Sequence, residues 1–337
     1  MKKIIILSFC FLTIVFADNK YFSFNNNNID FILTDLEIEE VDDYHKIIVP
    51  QKIGDTGLIG MPKLPTYTTL LMVDSSKKYR IEYVVKKSYF IDNISIIPNQ
   101  KMEKGLEIEQ IIDKNLKFYN SSNKFPNVNV SVSDKMIMRD VVLINLSVIP
   151  FNYFPGTNQL EVYESIEINL IEDGEDDSNN IFSDRPKSRV FEKIYQNEIL
   201  NYNRDLRNDD YQTPSVLYIC SGSSENNGSF QQLVDWRTQR GYKVYTVSTS
   251  VIGNNASSIK DYISNAYQNF NPPPEYVALV GDVNGSFSIP TYYEDFGHDS
   301  YGNQCEGDLP YSQLDGGDLF PEVLVGRMSI TSSSELA

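Results

Sequence analysis

The feature that most constrains the fold is the alternation of short apolar segments with amphipathic segments after Pro214. Strands are predicted at 216–220, 243–249, 276–281 and 322–325, and helices at 230–240 and 256–270. Ser229 is predicted to cap the first helix and Gly241 to end it. Strands that alternate with helices of this length form βαβ units, with parallel strands and helices on both faces of the sheet. We therefore predict an α/β domain of the doubly wound type, with ligand sites at the carboxyl ends of its strands.

Residues 18–170 follow a different pattern, rich in β-branched and aromatic residues and without a strong helical period. Strands are predicted at 79–90, 141–150 and 160–170. Pro155 and Gly156 favour a turn, so the last two strands are predicted to form a hairpin around residues 152–158. Residues 104–114 could form a short helix. Several strands with turn signals favour a β-sandwich.

An acidic and polar segment at 172–188 has almost no apolar residue to bury and predicts a break between the two regions. Residues 190–199 then have helical spacing and predict a short amphipathic helix. Residues 201–213 are polar again and contain Arg204 and Arg207. The predicted parts are a leader, a β-rich domain, a linker region and an α/β domain, at 1–17, 18–170, 171–213 and 214–337.

The leader is predicted to be a secretory signal peptide. Two lysines precede an apolar run at 4–16, and Val15 and Ala17 fit a small-residue cleavage pattern. The run is shorter than the roughly 20 residues of a membrane span. A lipoprotein anchor at Cys10 is the alternative, but the large Phe9 before it disfavours that interpretation. We expect an exported chain without an integral membrane anchor.

The chain is strongly acidic, with 46 acidic and 29 basic residues and a formal net charge of −17. Such a chain repels phosphates, so nucleic acid is not an expected partner. Residues 261–326 contain no Lys or Arg at all, although they carry many carboxylates. Within them, the two glycines of 315–322 (DGGDLFPE) let carbonyls turn in beside the acidic side chains. Calcium prefers about six to eight such oxygens, and a solvated acidic loop is the alternative.

Cys220 and Cys305 are the two cysteines outside the leader, and they could pair in an oxidising compartment. However, Cys220 ends a predicted buried strand, which favours a buried free thiol. His298 and Cys305 are close in sequence and have the chemistry of a base and a nucleophile. Such pairs usually meet in the fold rather than within one loop, so we assign no catalytic residue in this chain. No glycine-rich cofactor loop is present either.

Three segments of the α/β region stand out as motifs: 230–244 (FQQLVDWRTQRGYKV), 275–282 (EYVALVGD) and 322–327 (EVLVGR). Three more lie in the β-rich region: 61–65 (MPKLP), 136–140 (MIMRD) and 160–164 (LEVYE). The first three resemble the start of the catalytic domain of the gingipain family of cysteine peptidases, and the other three resemble the propeptide of that family. Each motif is weak alone, but their order and spacing are specific, and the resemblance covers nearly all of the chain after the leader.

The resemblance implies a β-sandwich prodomain followed by a caspase-like α/β catalytic domain that is incomplete in this chain. It implies a secreted or surface-exposed bacterial endopeptidase that hydrolyses protein or peptide substrates. The chain's own propeptide would act as an intramolecular inhibitor until it is removed, and a cut near Arg204 and Arg207 would fit.

The resemblance further implies a structural Ca²⁺ site that pins the loop between the third and fourth strands. The implied ligands are the side chains of Asp282, Asp318 and Glu322 and the carbonyls of Asp315 and Phe320.

The family's catalytic His and Cys are expected downstream of residue 327, whereas the chain stops at Ala337. We therefore expect this sequence to be a piece of a longer reading frame, with the residues that select the substrate side chain also further on. Two alternatives stay open. One is a non-enzymatic, calcium-stabilised secreted surface or binding protein, and the other is a caspase-fold pseudoenzyme that inhibits through its prodomain.

Overall fold

The structure is a computed structural model. It describes residues 21–25, 28–49, 54–100, 113–176, 185–203, 210–295 and 304–336. The predicted signal peptide, the arginines Arg204 and Arg207, His298 and most of the predicted helix at 104–114 lie outside these residues. No helix in the described ranges combines the length and the apolar composition that a membrane span requires.

The first part of the described chain is built from β-strands and one helical turn. The strands are β1 (Phe22–Asn25), β2 (Asn28–Ile32), β3 (Glu37–Val41), β4 (Tyr44–Ile48), β5 (Gly54–Asp55), β6 (Pro65–Val73), β7 (Lys77–Ile91), β8 (Val130–Val132), β9 (Met136–Met138), β10 (Val141–Val148), β11 (Phe151–Phe154) and β12 (Gln159–Glu175), and the turn is α1 (Leu116–Tyr119). One sheet has the order β1-β2-β12-β11, with β7 also on β12. A second has the order β5-β6-β10-β8, with β9 also on β10. Strands β3 and β4 form a separate hairpin.

The predicted turn after residue 154 is present, but the predicted hairpin partner is wrong. Strand β11 precedes the turn and pairs with β12, with Phe151 opposite Val162 and Phe154 opposite Gln159. The apolar run expected to pair there is β10, which ends at Val148 and belongs to the other sheet. Pro150, which has no backbone N–H to donate to a ladder, lies where the chain changes sheet.

The predicted break at 172–188 starts too early, because β12 continues to Glu175. The acidic end of this strand faces cations of β7. Arg80 lies 3.9 Å from Asp173, and Lys77 forms an ion pair with Glu175. Opposite charges in neighbouring strands stabilise the pairing, so the acidic run extends the sheet instead of ending it.

The described chain divides into two compact units. Unit 1 comprises Met1–Thr69, Ile81–Val130 and Ser147–Leu170, and unit 2 comprises Leu70–Arg80, Ser131–Leu146 and Ile171–Ala337. In unit 1, Phe31 and Tyr67 are almost completely buried and their rings lie 5.2 Å apart in an edge-on contact. Unit 2 contains the predicted α/β region together with two segments of the β-rich region.

The remaining elements belong to unit 2 and alternate as the sequence predicts. They are α2 (Arg189–Glu198), β13 (Ser215–Cys220), α3 (Gly228–Gln239), β14 (Lys243–Ser248), α4 (Thr249–Ile252), α5 (Ala256–Asn269), β15 (Tyr276–Val280), β16 (Tyr292–Asp295), β17 (Gln304–Gly307) and β18 (Leu324–Met328). Four strands form a parallel sheet in the order β14-β13-β15-β18. The prediction of a parallel sheet is confirmed.

Both faces of this sheet are covered by helices, which also confirms the prediction. On one face, Leu217 and Ile219 of β13 pack against Ile263 of α5. On the other, Tyr218 packs edge-on against Phe230 of α3, with ring centroids 5.3 Å apart. Burial of each such side chain contributes about 2 kcal/mol. A strand buried on both faces has an uninterrupted apolar sequence, which is why β13 was recognisable without any alternation.

Two element boundaries differ from the prediction. The cap of α3 is Asn227 rather than Ser229, since the Asn227 side chain accepts from the backbone N–H groups of Ser229 and Phe230 at 2.9 and 3.4 Å. Gly241 ends the helix as predicted, with a backbone φ of 85°. The fourth strand begins at residue 324 rather than 322, because Glu322 is still part of the loop before it.

Candidate functional site

The carboxyl ends of the parallel strands form the edge at which chemistry is expected. Strand β15 ends at Val280, and the next residue, Gly281, donates its backbone N–H to the carbonyl of Met328 at 3.1 Å. A side chain at position 281 would lie 2.3 Å from the carbonyl oxygen of Phe287, so glycine is required there. The loop after β15 therefore packs directly against this edge.

Arg327 of β18 organises the same edge. Its Nε and Nη2 donate to the two carboxylate oxygens of Asp308 at 2.8 and 2.7 Å, and its Nη1 donates to the carbonyls of Gly281 and Ile289 at 3.1 and 2.9 Å. Thr291 also donates to Asp308 at 2.9 Å. Burial acts to raise the pKa of Asp308, but the hydrogen bonds from Arg327 and Thr291 outweigh it and hold that pKa below its usual value. This bidentate pair fixes the loop that follows β15.

The predicted calcium ligand Glu322 is completely buried before β18. Its Oε2 accepts from the backbone N–H groups of Leu314 and Asp315 at 2.6 and 3.1 Å, whereas its Oε1 has no hydrogen-bond partner. The pKa of Glu322 is raised to about 7, chiefly by burial and also by the neighbouring charges of Asp315 and Asp318, although the two backbone hydrogen bonds act to lower it. An unpartnered buried carboxylate oxygen of this kind suits a cation.

The other two acidic residues of this loop are already engaged. Asp315 Oδ2 accepts from Arg185 at 2.9 Å, and the guanidinium of Arg185 lies over the ring of Tyr267, 3.8 Å from its centroid. Asp318 accepts from the backbone N–H of Ile137 through Oδ2 at 2.7 Å and from that of Phe320 through Oδ1 at 2.8 Å. Protein groups therefore supply much of the positive charge and hydrogen bonding that a cation would supply.

Asp282 lies at the opposite end of the sheet from this loop. Val280 at the carboxyl end of β15 is opposite Met328 at the carboxyl end of β18. Asp282 follows Val280 there, whereas Glu322 precedes the amino end of β18. The two acids are about eight strand positions apart, which is roughly 26 Å. The prediction that Asp282 shares a cation with Glu322 is therefore wrong.

The fit of the remaining predicted ligands to a cation is partial. Within the described ranges, no group of three or more His, Cys, Asp or Glu side chains lies close enough together to hold a metal ion. One loop does contain the three acids Asp315, Asp318 and Glu322. The buried Oε1 of Glu322 has no hydrogen-bond partner, so a bound cation would stabilise it.

Cys220 is a free and completely buried thiol at the end of β13, as the sequence predicts. Burial raises the pKa of this thiol to about 12, so it is not a nucleophile at neutral pH. Cys305 lies in β17, where its backbone is opposite that of Glu294. Its side chain and His298 lie outside what the structure describes, so the rejected dyad stays untested.

Sequence reasoning missed the arginines that hold these two regions, Arg185 and Arg327. The available signal was the absence of Lys and Arg from residues 261–326. Crowded carboxylates need positive charge nearby, so cations from elsewhere in the chain had to reach this stretch. The sequence does not reveal which cations do so.

Comparison with known proteins places these observations in a family. Residues 25–208 match the sequence model of the C25 propeptide, which covers more than half of the chain, and residues 209–337 match that of peptidase family C25. Gingipain R1 of Porphyromonas gingivalis is 27% identical over 285 residues, which cover 82% of this chain and 27% of the relative. Lys-gingipain of the same organism is 25% identical over 337 residues, which cover 93% of this chain and 18% of the relative.

Among solved structures, the complex of the pro- and mature domains of RgpB from Porphyromonas gingivalis is 21% identical, with a TM-score of 0.48. The aligned region covers 55% of the present chain and 100% of the matched chain of that complex. The present chain spans about a quarter or less of the length of the gingipain relatives described above. From the two family matches in their chain order, the chain belongs to peptidase family C25, the gingipain family.

Proposed function

We propose that this chain is the propeptide and the leading part of the catalytic domain of a secreted cysteine endopeptidase. The observation that carries the proposal is the succession of a C25 propeptide match and a C25 peptidase match along one chain. The proposal includes a β-sandwich prodomain and a caspase-like, doubly wound catalytic domain. The substrates are proteins or peptides, and the predicted leader directs the enzyme out of a bacterial cell or to its surface.

In the proposed reaction, a cysteine thiolate beyond residue 337 attacks the peptide carbonyl and a histidine transfers the proton to the leaving amine. Backbone N–H groups stabilise the oxyanion. The contribution of the present residues is positional. Arg327 and Asp308 hold the loop after β15 at the carboxyl edge of the sheet, the edge at which catalytic residues of such folds are placed.

The partner proposed for this domain is the chain's own propeptide, acting as an intramolecular inhibitor. In support, segments Leu70–Arg80 and Ser131–Leu146, which belong to the propeptide match, lie in the same compact unit as the parallel sheet. These segments therefore contact the peptidase part directly, as a propeptide that acts as an intramolecular inhibitor must.

A structural calcium ion is proposed for a narrower set of ligands than the sequence suggests. The set is Asp315, Asp318 and Glu322 with the carbonyl of Phe320, and the unpartnered Oε1 of Glu322 supports it. When bound, the ion would neutralise the carboxylates and pin the loop before β18.

Thermal unfolding with and without a calcium chelator tests this site. Calcium at about 100 times its Kd adds about 2.7 kcal/mol, so chelation should lower the Tm by several degrees. Glu322→Gln should remove the calcium dependence, whereas Asp282→Asn, at the far end of the sheet, should keep it. A wild-type melt that chelation leaves unchanged would eliminate the site.

The peptidase proposal is tested by reading the gene past codon 337 and assaying the protein from the complete reading frame. A downstream His-Gly motif, a later Cys and hydrolysis of a peptide library are the expected results. A complete frame without that His and Cys would support the pseudoenzyme or the binding protein instead.

A further inference from the structure

Arg139 occupies the tip of the β9–β10 hairpin in an unusual way. Met138 pairs with Val141, so Arg139 and Asp140 form a two-residue turn. Arg139 has a backbone φ of 56°, a left-handed conformation that favours glycine or asparagine and costs other residues energy. Its side chain is nevertheless only 2% exposed. The fold therefore buries a charged side chain at a strained turn position. Both features cost free energy, so other contacts of Arg139 must compensate for them.

The guanidinium of Arg139 is held by three neutral oxygens. Its Nη1 donates to the carbonyls of Pro274 and Glu322 at 3.1 and 2.9 Å, and its Nη2 donates to the side-chain oxygen of Gln212 at 3.1 Å. We call Gln212, Pro274 and Glu322 the Arg139 socket. The socket lies at the amino ends of β13, β15 and β18, because each of its residues precedes one of these strands.

The contacts of Arg139 cross the boundary between the two family matches. Arg139 belongs to the propeptide match, which ends at residue 208, whereas all three socket residues belong to the peptidase match. Tyr267, also in the peptidase match, donates its hydroxyl to the Arg139 carbonyl at 3.2 Å, and its ring centroid is 5.5 Å from the guanidinium carbon. A backbone cut anywhere between 200 and 211 would leave these partners on different fragments without breaking a single one of these contacts.

Other contacts of unit 2 join the same two parts. Ser188 donates to a carboxylate oxygen of Glu275 at 2.5 Å, and the backbone N–H of Ile137 donates to Asp318 at 2.7 Å. An apolar cluster adds to these, with Met138, Phe191 and Tyr195 from the propeptide match and Phe320 and Leu324 from the peptidase match. Arg139 contacts this cluster, since the ring centroid of Phe191 lies 5.2 Å from its guanidinium carbon.

We propose that Arg139 anchors the propeptide to the peptidase part as a non-covalent partner once the connecting chain is cut. The Arg139 socket is at the amino edge of the parallel sheet, whereas Arg327 and Asp308 organise the carboxyl edge. The anchoring contacts therefore lie at the edge of the sheet opposite the one at which catalytic residues are expected. This inference rests on the proposed function only in that the propeptide is cut from the rest of the chain.

The test uses the whole chain with a site-specific protease sequence in place of residues 204–209. After the cut, the two wild-type fragments should co-elute in size-exclusion chromatography at micromolar concentration. Arg139→Gln should raise the Kd between the fragments by roughly tenfold to a hundredfold, as truncation of a buried anchor residue does. Arg139→Lys should restore little, because an ammonium cannot reach three oxygens in a fork.

Lys135→Gln is the matched control. Lys135 is a partly buried cation next to the same hairpin, but its partners Asp176 and the carbonyl of Ser75 stay on the same fragment after the cut. This variant should lower the Tm of the uncut chain without changing the Kd between the fragments. If Arg139→Gln does not fold, Gln212→Ala perturbs the socket from the peptidase side and should raise the Kd too.

Wild-type fragments that separate at micromolar concentration would overturn the inference, and so would a folded Arg139→Gln chain with the wild-type Kd. Neither result depends on peptide hydrolysis, so they leave the peptidase proposal intact. A complete reading frame without the catalytic His and Cys would contradict the peptidase proposal. It would leave the anchoring inference intact, because the two fragments would still associate.

Discussion

Arginines from outside residues 261–326 supply the positive charge that this stretch lacks. Arg185 pairs with Asp315 at 2.9 Å and Arg327 with Asp308 at 2.7 Å. The need for counter-charge is predictable from the sequence, because unscreened carboxylates repel one another. Its source is not, since Arg185 is 130 positions away from Asp315 in the chain. From the sequence, a bound calcium ion was predicted to supply this positive charge. In the structure, the guanidinium groups of two arginines supply much of it.

The buried thiol of Cys220 should be inert in the folded protein. With a pKa of about 12, its thiolate fraction at pH 8 is about 10³ times lower than that of an unfolded chain. Iodoacetamide labelling in a Cys305→Ser background, read by mass spectrometry, should be at least that much slower in buffer than in urea. Labelling at the unfolded rate would show that Cys220 is accessible.

The Arg327–Asp308 pair should make stability depend on pH. A carboxyl whose folded pKa is below its unfolded value stabilises the protein above the unfolded pKa, and this contribution is lost as the pH falls through the folded pKa. Asp308→Asn should therefore lower the free energy of unfolding by about 2 kcal/mol at pH 7, as the loss of hydrogen bonds to a charged, partly exposed group does. The difference between variant and wild type should shrink as the pH falls below about 4.

Urea denaturation between pH 3 and 7 measures this difference, with Glu39→Gln as the control. Glu39 forms an exposed pair with Lys46 at 3.8 Å, and its loss should cost less than about 0.5 kcal/mol. A difference between Asp308→Asn and wild type that stays constant over the whole range would contradict the pairing.

At the scale of elements, continuous apolar runs and helical periods were reliable, whereas partners and boundaries were not. Strand β13 and helix α5 lie within one residue of their predicted bounds, because burial on both faces and a regular apolar spacing leave a local signal. The hairpin partner of β12 was missed because Phe151–Phe154 was read as part of a turn. The start of β18 was missed because Val323 extends its apolar run in the sequence, although residues 322 and 323 still belong to the preceding loop.

The cap of α3 offers a test of one such boundary. Asn227→Ala removes the acceptor for two backbone N–H groups and should cost about 1 kcal/mol of unfolding free energy. Ser229→Ala lies inside the first turn and should change it by less than about 0.5 kcal/mol. Thermal or urea unfolding of both variants decides the matter, and a larger cost at Ser229 would favour the cap that the sequence suggested.

At the scale of the whole molecule, the order of the parts was predictable and their division into compact units was not. Leu70–Arg80 and Ser131–Leu146 lie in the β-rich region but belong to unit 2. No local feature of these segments marks them, since their partners are far away in the sequence. Arg139 shows the same limit, because a cation at the tip of a hairpin usually indicates a solvated turn.

Limited proteolysis tests the predicted division into domains. The polar composition of 171–213 predicts the first cuts within that region, with α2 resisting because Phe191 and Tyr195 are completely buried. Electrophoresis and mass spectrometry of early digestion products locate the cuts. First cuts within 80–170 would contradict the predicted boundary.

The central proposal is that the complete protein is a cysteine endopeptidase of the C25 family, with its nucleophile downstream of β18. The most direct measurement is to treat the protein from the complete reading frame with a cysteine-directed irreversible inhibitor and to identify the modified residue by mass spectrometry. The account predicts a single modified cysteine downstream of β18, no modification of Cys220, and loss of peptide hydrolysis in proportion to labelling. Hydrolysis that survives complete labelling of the accessible cysteines would contradict it.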